Sequence, residues 1–194
     1  MKLVVFDVET KKTFDEVGGY HPSRLGVSVA GVFFRDEEKG EESYHGYREE
    51  EFPEMFKVFE QAERIVGFNS INFDMPALQP YYVGDLLAMP NFDLMVEIEK
   101  QVGHRIGLDA VAKETLGVQK SGHGLDAIRY YHEKDWESLT KYCLQDVKLT
   151  KELYDYGEKN GKLMFKNKWN EVVEVEVDFG KEKGQKVKVQ ATLF

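Results

Sequence analysis

Cysteine is almost absent from this chain: Cys143 is its one thiol in 194 residues. No intrachain disulfide can form, so a reducing compartment, the cytoplasm, is the expected location. Long apolar runs are missing too, and no stretch approaches the length of a membrane span. Met1-Lys2 leads directly into Leu3-Val4-Val5-Phe6 and then an acid, too short an apolar run for a secretory leader. Basic charge is in deficit, with 26 Lys and Arg against 35 Asp and Glu for a net of −9. The deficit is uneven: residues 159–194 carry eight lysines and five acids, which leaves 18 cations and 30 acids, a net of −12, in residues 1–158. A surface this acidic argues against binding a long stretch of polyanion. The chain also lacks a zinc-type cysteine and histidine cluster, a phosphate-binding Gly-x-x-x-x-Gly-Lys loop, an internal repeat and any low-complexity tract. At 42% hydrophobic content it can still bury one full core, with room for a small appendage.

The most informative segment that is present is Phe6-Asp7-Val8-Glu9-Thr10, closing the first apolar run. Residues 2–8 are consecutive β-formers, and residues two apart on a strand share a face, so Asp7 and Glu9 project together. Two carboxylates that close repel unless a cation lies between them, and a hard divalent ion with oxygen ligands satisfies both. The alternative is a strand end running into solvent.

Two later segments present matching chemistry. Residues 62–68 form a second short apolar strand that runs into Asn69-Ser70-Ile71-Asn72-Phe73-Asp74, where a helix begins. Asp135 can cap a helix whose apolar residues Trp136, Leu139, Cys143, Val147 and Tyr154 recur at three- and four-residue steps. Tyr142 and Asp146, four apart, share a face of that helix beside the apolar stripe. Singly, each has an ordinary structural explanation as a cap, a solvated charge or a core aromatic. In combination, Asp-x-Glu on a first strand, Asn-x-x-Asn-Phe-Asp after a central strand and Tyr-x-x-x-Asp on a late helix resemble the three exonuclease motifs of the DEDD superfamily, in its tyrosine-containing branch. The middle motif, with Gly67-Phe68 before it, is most similar to the proofreading domain of family-B DNA polymerases and stand-alone relatives.

The resemblance spans about residues 1–160 and implies an α/β, ribonuclease-H-like mixed sheet flanked by helices, with the first and fourth strands as central neighbours. The pattern of elements is compatible. Residues 25–34 and 42–47 read as strands joined by a turn at Gly40, residues 52–63 as a helix, residues 91–94 as a short strand and residues 108–116 as a helix closed by Gly117. Asp93 reads as a helix cap rather than a further metal ligand. Beyond residue 162 the character changes: residues 172–179 and 186–193 read as two strands of a hairpin across a Gly180 to Gly184 turn. The expected organisation is a nuclease domain at 1–162 and a C-terminal β-hairpin and tail at 163–194, packed on the body or on a partner.

By resemblance, Asp7, Glu9, Asp74 and Asp146 would hold two divalent ions, Mg2+ or Mn2+, with Asp7 shared, and Tyr142 would position the attacking water. The implied reaction is 3′→5′ hydrolysis of terminal phosphodiesters to 5′-nucleoside monophosphates, with DNA favoured over RNA. An exoribonuclease, or a binding module without catalysis, are the alternatives. Thr10, Asn69, Asn72 and Phe73 could contact the terminal nucleotide, and Lys120, Ser121 and His123 its phosphate. The C-terminal Gln190-x-x-Leu193-Phe194 resembles the peptide by which replication enzymes dock on a bacterial sliding clamp. The motif is short, and a folded-back strand end is the alternative.

Overall fold

The computed structural model describes residues 1–118 and 124–180. Its frame is a five-stranded sheet in the order β3-β2-β1-β4-β5, with β1 at Lys2–Thr10, β2 at Val27–Asp36, β3 at Glu41–Arg48, β4 at Arg64–Gly67 and β5 at Asn91–Asp93. β1, β2 and β3 pair antiparallel, whereas β4 and β5 join β1 in parallel, so β1 and β4 are central neighbours. The first strand runs two residues past its expected end, with a register shift between Glu9 and Thr10.

Both faces of β1 are buried, which explains its unbroken run of apolar residues. Val4, Phe6 and Val8 pack against α1 (Phe52–Phe59) and α2 (Asp74–Leu78). Leu3 and Val5 face the opposite layer, formed by α3 (Leu94–Val102), α4 (Leu108–Leu116) and the long α6 (Trp136–Asn160), while α5 (Gly124–Glu133) packs on α6 and β1. Burying each such side chain stabilises the fold by about 1.5–3 kcal/mol before chain entropy is counted. The helix expected over 52–63 stops at Phe59, because the chain must turn to enter the sheet: the Glu63 N–H already donates to Lys2 O beside β1.

Near the C-terminus the structure shows a strand that the sequence pattern does not predict. β7 (Val172–Glu176) pairs antiparallel with β6 (Lys162–Lys166), a strand that follows α6 after only Gly161. The short alternation in Lys162–Lys166 is hard to separate from the helix before it, whose Gly161 cap sits at φ 72°. The expected second strand, 186–193, and with it Gln190, Leu193 and Phe194, lies outside the described residues. The appendage packs on the body: Phe179 lies against Phe92, Tyr154 and Gly157, and Arg64 donates to both the Tyr154 hydroxyl (2.9 Å) and Phe179 O (2.7 Å). Among the described residues no helix is long and apolar enough to cross a membrane. His21, His45, His104 and His132 are all exposed, as their lack of pattern suggests.

Glycines set how closely α6 lies on the sheet. A Cβ at Gly31 would stand 2.9 Å from Val147 Cγ2 and 3.0 Å from Cys143 Sγ, and one at Gly46 would stand 2.3 Å from Thr140 Cγ2. Gly31 and Gly46 are register partners on β2 and β3, and Gly31 also faces Asp7 on β1, so one smooth row across the sheet admits the helix. Gly31→Ala is therefore expected to destabilise by about 1–3 kcal/mol through overpacking, although alanine is intrinsically the better strand residue. Urea unfolding measures this, and a variant as stable as the parent would show that α6 has room to retreat.

Candidate active site

The site lies where β1 outruns β4. Parallel pairing ends at Val5↔Val66, so the later part of β1 has no strand on that side. The Asp74 carboxylate fills the gap and accepts the Val8 N–H at 3.0 Å. Val8 lies between Asp7 and Glu9, so the second motif is bonded to the backbone of the first. From the other layer, the Cys143 thiol of α6 donates to Asp7 O at 3.3 Å, lies 3.8 Å from Asp7 Oδ2 and accepts the Gly31 N–H at 3.1 Å. Cys143 is flanked on its helix by Tyr142 and, three residues on, Asp146, which are 6% and 5% exposed. One tripeptide of β1 thus joins all three segments.

Electrostatics at this point are unfavourable to bare anions. Burial pushes the Asp74 carboxyl up to about 7; the Val8 hydrogen bond opposes the shift, and the charges of Asp93 and Asp146 add to it. Burial and the nearby Asp7 and Glu9 charges push the Cys143 thiol well above its ordinary value. Ligand atoms of Asp7, Glu9 and Cys143 all lie within 4.8 Å of one another. Two carboxylates at that spacing suit a hard divalent ion, whereas Asp74 and Asp146 fall outside this close group and are tied to it by the Val8 hydrogen bond of Asp74 and by the charge of Asp146 acting on Asp74 and Cys143. The thiol is the one soft group in the cluster.

Around this centre the predicted contact residues divide. The Thr10 hydroxyl donates to Lys12 O (3.0 Å) and is buried, which commits it to the turn after β1. Asn69 adopts φ 67°, and its buried Oδ1 has no hydrogen-bond partner among the described residues. Left-handed backbone is uncommon outside glycine but comparatively accessible to asparagine. Phe73 sits edge-on to Phe14, 6.0 Å between centroids, and Phe14 stacks on Tyr20 at 4.8 Å. Tyr20 is 56% exposed and its hydroxyl donates to Asn72 O (2.8 Å). This aromatic group beside Asp74 joins the segment between β1 and β2 to the second motif. Phe14 and Tyr20 carry no signal in the sequence, since nothing in a loop's pattern says where it folds. Lys120, Ser121 and His123 lie outside the described residues.

Asp93 does more than cap. It accepts from Met95 N–H (3.0 Å) and Val96 N–H (3.3 Å) at the start of α3, and also from Asn69 N–H (2.8 Å) and Ile71 N–H (2.9 Å). One buried carboxylate therefore clamps the turn that carries Asn69 to a helix start. Burial raises its pKa, against the pull of these same hydrogen bonds.

An α/β layered domain with carboxylates gathered at the end of its central antiparallel-to-parallel sheet is a ribonuclease-H-like fold. A family model of the RNase_H superfamily matches residues 4–157, and the chain belongs to that superfamily. Among solved structures it is similar to the zinc-bound form of the E. coli ExoI–ssDNA complex, with 14% identity and a TM-score of 0.46. That similarity covers 82% of this chain and 41% of the other, so this chain spans less than half of that protein's length. No curated protein matches the sequence.

Replacing Asp93 tests the clamp. In Asp93→Asn, an amide NH2 would face either the Ile71 N–H or the Asn69 and α3 N–H groups, two donors opposed in a buried place. We expect a loss of about 1–3 kcal/mol, with faster amide exchange over 69–71. Unchanged stability and exchange would leave Asp93 as an ordinary cap.

Proposed function

We propose that this chain is a divalent-metal-dependent 3′→5′ exonuclease of the tyrosine-containing DEDD type, acting on unpaired DNA 3′ ends and releasing 5′-nucleoside monophosphates. The observation that carries the reading is the convergence on Asp7-Val8-Glu9: Asp74 bonds to Val8 N–H from one side and Cys143 bonds to Asp7 O from the other. Asp7, Glu9, Asp74 and Asp146 are the residues that would hold the ions. Bound there, a divalent ion supplies an activated water and stabilises charge on the departing 3′ oxygen.

The remaining steps belong to the protein. Tyr142 keeps its ring in the cluster with Val29, Leu139 and Cys143, and its hydroxyl would orient the attacking water. Phe73, Phe14 and Tyr20 offer ring faces and edges beside Asp74, suited to an unpaired base and indifferent to its identity. DNA is favoured over RNA because the middle motif is most similar to that of polymerase proofreading domains.

The direct test is incubation of 3′- and 5′-labelled DNA and RNA oligonucleotides with magnesium, manganese or chelator. Stepwise shortening from the 3′ end, abolished by chelator, is expected. Internal cleavage, or shortening from the 5′ end, overturns the reading.

Two substitutions separate the roles. Asp7→Ala should abolish turnover while the metal-free protein melts at or above the parental temperature, since one of several crowded charges is gone. Turnover near the parental rate would remove Asp7 from the site. Tyr142→Phe keeps the ring and deletes the hydroxyl, so turnover should fall roughly 10²-fold with manganese affinity held. A rate that does not change returns Tyr142 to a packing role.

A further inference from the structure

A groove of about 650 Å³ opens between the edge strand β3 and the outer flank of α6, away from the carboxylates. Tyr44 of β3 and Trp136 in the first turn of α6 supply its aromatic surface, and Arg48, Lys141 and Lys148 its cations. Glu137 is the one acid among the described lining residues. That balance opposes the trend of residues 1–158, where acids outnumber cations 30 to 18. The Arg48 guanidinium lies 4.9 Å from the centre of the Trp136 ring, and Tyr44 is 43% exposed. Lys148 meets Glu152 only at 3.8 Å between exposed side chains, a pair that costs little to open.

We propose that this groove is a second contact surface for single-stranded nucleic acid, gripping the strand beyond the nucleotides held at the carboxylate site. The choice of occupant rests on the nuclease reading. Aromatic faces beside cations are what sequence-tolerant single-strand binding uses: rings stack on bases and ammonium or guanidinium groups meet phosphates. Position agrees. Glu9 pairs with Val29 and Val29 with Arg48, so the groove begins two strands from the site, about 10 Å at the usual spacing. A substrate strand leaving the carboxylates can therefore reach it. A short basic groove also reconciles an acidic chain with a polyanionic substrate, because it confines favourable charge to where the strand lies.

Trp136 provides its own probe. The chain has two tryptophans, and the other, Trp169, is 69% exposed in the turn between β6 and β7, so Trp169→Phe leaves Trp136 as the sole tryptophan, excited selectively at the red edge of the band where tyrosine does not absorb. In chelator, an oligothymidine of about 20 nucleotides should quench Trp136 emission by stacking. Adding Lys141→Glu and Lys148→Glu should abolish the quench and weaken binding roughly tenfold or more at low salt. It should also flatten the slope of log K against log salt by about 1.4, for two lost phosphate contacts. Melting temperature and hydrolysis of a trinucleotide should not change. Equal affinity and slope in the charge-reversed protein would overturn the proposal, as would quenching by an acidic aromatic peptide but not by the oligonucleotide, which marks a protein-docking surface. Quenching without hydrolysis of any oligonucleotide would keep the groove and remove the nuclease reading. Hydrolysis without quenching would do the reverse.

Discussion

The close passage of α6 over Asp7 and Gly31 is the contact on which the rest of the structure depends. Sheets and helices ordinarily keep apart by the bulk of their side chains, and here β2 and β3 contribute none at two adjoining positions of one row. Asp7, Gly31 and Gly46 are register partners, and the two glycines leave space for Cys143, Val147 and Thr140 to descend. The buried thiol then bridges strands, taking the Gly31 N–H and giving its own hydrogen to Asp7 O. Helix geometry does the remainder: once Cys143 is fixed, Tyr142 and Asp146 on the same helix are carried to the end of β1. A larger side chain at either glycine would lift the helix and separate the late motif from the first.

Two buried aspartates show how environment divides one residue type between roles. Asp93 spends its oxygens on the backbone of Asn69, Ile71, Met95 and Val96, and so holds a turn to a helix start. Asp74 takes the Val8 N–H, and the charges of Asp93 and Asp146, of the same sign, push its pKa up. The first arrangement is satisfied by the fold itself. The second keeps a carboxyl beside Asp7 and Glu9 at a cost that a cation would relieve.

The C-terminal appendage follows a different logic. A two-stranded hairpin is marginal alone, and β6 with β7 gains its stability from the body. Leu163, Phe165, Val175, Val177 and Phe179 enter the same core cluster as Leu153 and Tyr154 of α6. Phe179 occupies the space over Gly157, and Arg64 ties its carbonyl to β4. The change in composition after residue 162 therefore marks a change of layer, with the core continuing across it.

Local chemistry made much of this legible. Alternation and apolar runs place β1 through β5 within a few residues, Gly117 marks the end of α4, and Asp93 announces α3, because strand periodicity and capping act over one to four residues. The same short range separates Asp7 from Glu9 and Tyr142 from Asp146, so each pair could be read as sharing a face. β6 escaped, since five residues abutting a 25-residue helix carry too little pattern of their own. The aromatic group of Phe14, Tyr20 and Phe73 and the groove of Tyr44, Arg48 and Trp136 escaped for another reason: their members lie far apart in the chain and meet only when loops and edges fold over. By itself the sequence determined most of the elements, the spacing of the carboxylates and the helix face bearing Tyr142. Tertiary structure alone decided that Asp74 closes the open edge of β1, that Cys143 bridges α6 to Asp7, and that Asp93 serves two segments, because those hydrogen bonds join residues 22 to 136 positions apart.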